Sequence, residues 1–180
     1  MISSVSQPVE NYPLILQVNF LLFLLDIDHT LGIIYNTDMT KSQIVLDTNV
    51  IVSALRSQKG ASYKLLMLVG RANFEINLSV SVLLEYEDAT KRLLGQIPLT
   101  ENEIDNILDY LCGLANQREV FFLWRPFLRD PKDDMILELA VSAQCEVIVT
   151  YNHKDFVGVE QFGIQVMTPK EYLERIGELQ

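Results

Sequence analysis

Acidic side chains sit in this chain where a buried core would have to tolerate them. Asp47 closes the apolar run QIVLD. Glu85, Glu87 and Asp88 lie inside SVLLEYEDATKR. Asp130, Asp133 and Asp134 open DPKDDMILELA, and Asp155 follows the apolar run CEVIVTY within TYNHKDF. Carboxylates offer hard oxygen donors only. Three or four of them brought together without Lys or Arg repel one another unless a cation joins them, and they suit Mg2+ or Mn2+. Such an ion binds phosphate oxygens, lowers the pKa of a bound water and offsets the charge of an in-line displacement. No Gly-rich loop of the Walker type is present, which sets nucleotide triphosphate hydrolysis aside and favours phosphodiester hydrolysis.

Each acid also has an ordinary explanation. Asp47 could cap the helix that starts at NVIVSAL. Glu85, Glu87 and Asp88 could form a solvated face beside the stripe Val82, Tyr86, Ala89 and Leu93, and helix geometry does not choose among the three. Asp130 reads as an N-cap with Pro131 at the first helical position. Asp133 then falls at the third, where a carboxylate suits the helix dipole. Asp155 could be a turn residue.

The elements that must position these acids alternate. QIVLD, NFEINLS, EVFFLW, CEVIVTY and GIQVMT read as strands. NVIVSALRS, ASYKLLMLVGRA, SVSVLLEYEDATKRLLG, LTENEIDNILDYLCGLANQ, DPKDDMILELAVSAQ and TPKEYLERIG read as helices. Thr100 with Glu103 predicts a capping box. Thr168, Pro169 and Gly177 predict the bounds of the last helix. Five short strands separated by helices imply an α/β sandwich with a central, largely parallel five-stranded sheet. Ligands of such sheets sit at the carboxyl ends of the strands. Asp47, Asp133 and Asp155 map to that edge.

At 180 residues and 49% hydrophobic content the chain has the size and core of one domain. Its formal net charge of −10 argues against a duplex binder that relies on a basic surface. Cys112 and Cys145 are far apart and read as reduced core residues of a cytoplasmic protein. Residues 1–41 carry no Lys or Arg before Lys41, which argues against a signal peptide. Their apolar stretch is broken by Gln17, Asn19, Asp26 and Asp28, short of the ~20 residues of a membrane span. We therefore expect a domain over residues 42–180, beginning near Met39, and an extension over 1–41. Residues 1–38 would be a loosely held arm or a start-site artefact.

IVLDTNVIVSAL, LLEYEDATKR, DPKDDMILELA and VIVTYNHKDF, in this order and spacing, resemble the PIN-domain ribonucleases, in particular the toxin components of toxin–antitoxin pairs related to VapC toxins. The resemblance covers about residues 43–172. It implies a PIN-like sandwich and an acidic site that binds Mg2+ or Mn2+ and cleaves single-stranded RNA. The family's four acids fall on Asp47, Glu85, Asp133 and Asp155 as catalytic metal ligands. Thr48 and Asn49 support the site, and Asp134 is the alternative to Asp133. Partners implied are an RNA substrate, an antitoxin protein and a second copy of the chain, the last through apolar surface around Leu65–Val69. Arg129, Lys132 and Lys154, with Arg56, Lys59 and Lys64, are expected to form a basic rim for phosphates. His153 is expected to be a solvent-facing loop residue.

Two other readings remain. One is a non-catalytic PIN-like RNA-binding or scaffolding module. The other rests on LLDIDHTLG at residues 24–32, which resembles the first motif of haloacid dehalogenase-like phosphatases, with Asp26 as nucleophile and Asp28 as acid.

Overall fold

The computed structural model describes residues 41–120 and 126–179. The expected extension, with Asp26 and Asp28 of the phosphatase-like motif, lies outside the described residues.

The order of elements is β1 (Ser42–Leu46), α1 (Thr48–Arg56), α2 (Ala61–Leu68), β2 (Phe74–Leu78), α3 (Val80–Lys91), α4 (Glu101–Leu114), β3 (Asn116–Gln117), α5 (Asp134–Ser142), β4 (Val147–Val149), β5 (Gln165–Met167) and α6 (Pro169–Arg175). Short 3-10 turns cover His153–Phe156 and Val159–Phe162 between β4 and β5. The strands form one sheet in the order β3-β2-β1-β4-β5, and every pairing is parallel. A parallel sheet covered by helices needs apolar residues on both faces. Ile44, Val45, Leu46, Val147, Ile148 and Val149 meet that need, each buried.

The helices follow their sequence signals. On α4, Ile104, Ile107, Leu108 and Leu111 form the buried stripe. Its start is a capping box: the Glu103 N–H donates to Thr100 Oγ1 at 3.3 Å, and the Thr100 N–H donates to Glu103 Oε2 at 2.8 Å. Thr168 and Glu171 repeat the device on α6, with Pro169 at its start. Gly177 follows in the left-handed conformation, φ 78°, which a residue without Cβ adopts at little cost.

A row of amides and charges crosses the β1–β2–β3 side of the sheet. Asn116 Nδ2 donates to Glu75 Oε2 at 2.8 Å and to Gln43 Oε1 at 3.0 Å. The buried Asn77 side chain donates to Gln43 Oε1 at 3.0 Å and accepts from Arg118 Nε at 3.0 Å. Buried polar groups demand such partners, so a one-residue slip of β2 or β3 would break several bonds at once.

Three expectations need correction. The third strand is Asn116–Gln117, ahead of EVFFLW, because Asn77 and Leu78 pair with Asn116 and Gln117; residues 121–125 lie outside the described residues. Around Leu65–Val69 the apolar surface is smaller than expected: Leu65 and Val69 are core, and Leu66 and Leu68 are partly buried against it. The helix after Asp130 begins at Asp134, three residues later than expected. Asp130 and Pro131 belong to a turn, in which Asp130 Oδ1 accepts from the Lys132 N–H at 3.0 Å and the Asp133 N–H donates to Asp130 O at 3.0 Å. Both of the latter bonds close a local turn and leave Asp133 as the flanking residue of α5.

Candidate functional site

Asp47 is the residue just past β1. Its N–H donates to Val149 O at 2.9 Å, which sets it beside Thr150, just past β4. The Asp47 carboxylate is buried, 5% exposed. It is the residue preceding α1, but its side chain makes no cap bond. Its Oδ2 accepts instead from Thr150 Oγ1 at 2.5 Å and from Asn49 Nδ2 at 2.6 Å. Thr150 Oγ1 in turn accepts from the Asn152 N–H at 2.9 Å. Asn49 Oδ1 accepts from the Tyr151 N–H at 3.2 Å. One carboxylate is thus held by two strand ends through neutral donors. Burial pushes its pKa above the ordinary carboxylate value; the Thr150 bond and the backbone groups of Asn49 and Thr48 oppose that, and the charge of Asp155 adds to it.

Asp133 flanks the N-terminus of α5, and its carboxylate makes no cap bond. Burial, then the charges of Asp47, Asp130, Asp155 and Asp134, push its pKa up to about 7. Asp155 lies in the 3-10 turn after β4. The strand ends and α5 therefore bring Asp47, Asp133 and Asp155 within electrostatic reach of one another.

Asp134 does different work. It is 1% exposed. Its Oδ1 accepts from the Leu128 N–H at 2.8 Å and the Phe127 N–H at 3.3 Å. Those bonds tie the loop ahead of α5 to the helix start, and they use the oxygens that a ligand would need free.

On α3, the structure separates the three acids. Glu87 bonds Lys91 at 2.8 Å, and Lys91 also meets Glu101 and Asp105. Asp88 pairs with Arg92. Glu85 is half-buried and is not among the charges acting on Asp133 or Asp47. The next residue, buried Tyr86, donates its hydroxyl to Leu46 O, one residue before Asp47. That bond pins the Glu85 turn of α3 to the end of β1.

The carboxylates do not close into a coordination shell. Among the described residues, no three His, Cys, Asp or Glu side chains converge tightly enough to enclose an ion. Their chemistry nonetheless fits a hard divalent cation. The donors are oxygens throughout, no ion pair neutralises Asp47, Asp133 or Asp155 among the described residues, and side-chain rotation is the motion that closing on an ion requires.

Among the expected basic groups, Arg129, Lys132 and Lys154 are exposed on the loops that carry Asp133 and Asp155. Lys64 is not part of a rim, since its ammonium is bonded to Glu178 O near the C-terminus. Arg56 ends α1, roughly 13 Å along the helix from its Asp47 end. His153 is exposed, with Nε2 3.6 Å from Glu171 Oε2. Cys145 is buried and Cys112 half-buried, both as free thiols. No described helix is long and apolar enough to cross a membrane.

Sequence reasoning missed two positioning residues. Thr150 was read as part of an apolar strand, although a hydroxyl at the end of a buried parallel strand already needs a partner. Tyr86 was read as core, and only its hydroxyl hinted at more.

A search of curated proteins returned no match. The family model of the PIN domain matches residues 43–154, the stretch that runs from β1 through Asp47, Glu85 and Asp133 to the turn before Asp155. PIN domains are commonly nucleases and typically use divalent metals such as Mg2+, and this chain belongs to the PIN-domain family.

Proposed function

We propose that the protein is a metal-dependent endoribonuclease that hydrolyses phosphodiester bonds of single-stranded RNA, with Asp47, Glu85, Asp133 and Asp155 as metal ligands. The observation that carries this reading is the clamp on Asp47. A buried carboxylate is held by Thr150 and Asn49 within electrostatic reach of Asp133 and Asp155, and its side chain makes no N-cap bond to α1. Mg2+ or Mn2+ bound there would supply the acidity of a bound water and the stabilisation of phosphate charge. Thr150 and Asn49 orient Asp47. Asp155 comes from the turn after β4, and Asp133 is presented at the head of α5. Glu85 would join them from α3, next to Tyr86, whose hydroxyl bonds Leu46 O at the end of β1. Asp134 supports the loop before α5 and Thr48 opens α1; neither is assigned to metal. Arg129, Lys132 and Lys154 are suited to phosphate contacts around the acids.

The sequence pattern within the PIN family supports a toxin of a toxin–antitoxin pair, with an antitoxin protein as partner. A small adjoining reading frame for a DNA-binding protein is the test of that assignment. For the activity, an end-labelled single-stranded RNA is incubated with purified protein and Mn2+. Cleavage is expected, and it should be lost in Asp47→Asn and Glu85→Gln but kept in Glu87→Gln. Cleavage that survives Asp47→Asn would exclude this site. No metal-dependent cleavage by the native chain, with RNA still bound, would favour a non-catalytic RNA-binding module.

A further inference from the structure

A cavity of about 520 Å³ opens where β2 and β3 end and α3 begins. Its apolar walls come from Leu78, Val80, Leu83 and Cys112. Arg118 and Glu119 stand at the same cavity. Val80 is 74% exposed, so this wall of the cavity is open to solvent. Arg118 is not a loose surface cation: its Nε is bonded to the buried Asn77 side chain, and its N–H to Leu78 O at 2.8 Å. The guanidinium is therefore held in place beside an apolar hollow.

The cavity and the acids share one helix. Leu83 and Val80 precede Glu85 on α3 by two and five residues, roughly 3 and 8 Å of helix rise. The residue after Glu85, Tyr86, is bonded to Leu46 O beside Asp47. Strands β2 and β3 are one and two places from β1, roughly 5 and 10 Å across the sheet. A strand whose phosphate lay at the acids would reach the cavity within a nucleotide or two.

The geometry points to this cavity as a subsite for a nucleobase of the RNA strand, beside the bond to be cut; the inference rests on the ribonuclease reading above. A base is the part of RNA that fits. Apolar walls accept its ring faces, and an anchored guanidinium stacks on them. Gln117, which also lines the cavity, and Glu119 offer a donor and acceptors to base edges. The Glu119 carboxylate would repel a phosphate, so the backbone stays outside. Drug-sized ligands fill pockets of this volume.

Cys112 makes the test direct. The full chain is treated with iodoacetamide in EDTA, where cleavage is blocked, and alkylation of Cys112 is followed by mass spectrometry. A short single-stranded RNA of mixed sequence should slow the alkylation several-fold. An abasic ribose-phosphate strand of equal length should not. Gln117→Trp, which fills the cavity from an exposed position on the sheet edge, should weaken RNA binding about tenfold in anisotropy with an unchanged Tm. RNA that binds without protecting Cys112, equal protection by the abasic strand, or full affinity in Gln117→Trp would each overturn the subsite and leave the nuclease reading standing. No RNA binding at all by the native chain would overturn both.

Discussion

Asp133 lets the cost of assembling these acids be measured without any substrate. Its pKa, ordinarily 3.8, is pushed up to about 7 in the folded chain, first by burial and then by Asp47, Asp130, Asp155 and Asp134. The sign follows from proton binding. Between those two values the folded state holds a proton that the unfolded state has released, so stability falls as pH rises, and the full cost is present above the folded value. At ~1.4 kcal/mol per decade of proton affinity the ceiling is roughly 4 kcal/mol. Asp133 is only partly buried, and solvent screening reduces this to roughly 1–2 kcal/mol. Asp133→Asn removes the charge and loses no cap bond, since the carboxylate makes none. At pH 8 in EDTA the variant should therefore melt roughly 3–6 °C above the native protein. At pH 5 the gap should shrink to about a third, because most of the proton uptake then still favours the native fold. Millimolar Mn2+ should raise the native Tm by mass action and leave the variant nearly unmoved. Thermal melts at two pH values, with and without Mn2+, are sufficient. A variant that melts below the native protein at pH 8, or a gap that does not change with pH, would show that Asp133 is a structural acid.

Other perturbations separate the roles of neighbouring groups. Asp134→Ala should cost roughly 2–4 kcal/mol by stranding the Phe127 and Leu128 N–H groups, whereas Asp130→Ala, which loses one exposed turn bond, should cost under about 1 kcal/mol; equal losses in urea melts would contradict the reassigned helix start. Tyr86→Phe should cost about 1 kcal/mol in stability and reduce cleavage more than Glu87→Gln does, with normal kinetics as the disproof. Thr150→Val should raise the Asp47 pKa further, because the lost bond favours the ionised form, so the pH–rate profile should shift its acidic limb upward; an unshifted limb would mean that the Thr150 clamp does not matter.

Much of the fold was legible because its signals are local. Parallel strands with both faces covered must be apolar throughout, and QIVLD and CEVIVTY are. Capping boxes are written in four residues, and Thr100 and Thr168 both carry one. The third strand was misplaced because its two residues, Asn116 and Gln117, have no strand-like pattern; they are strand by virtue of Asn77 and Leu78 beside them. The start of α5 was misplaced for a related reason. Asp-Pro is a strong N-terminal signal, but the competing pull is tertiary: Asp134 is drawn to the Phe127 and Leu128 N–H groups, and no pattern within DPKDD shows that.

The acids of DPKDD divide their labour by what is left over after hydrogen bonding. Asp130 is used by the Lys132 N–H, and Asp134 is used by two N–H groups of the preceding loop. Asp133 alone of the three has no cap bond and feels four other carboxylates. The same subtraction works on α3, where Glu87 and Asp88 are matched to Lys91 and Arg92 and Glu85 is left beside the pinned Tyr86. A fold that satisfies every neighbouring acid and leaves one on each element is spending stability at those positions. Hydrogen-bond accounting, rather than motif register, is what selects Asp133 over Asp134 and Glu85 over Glu87 as the groups to mutate first.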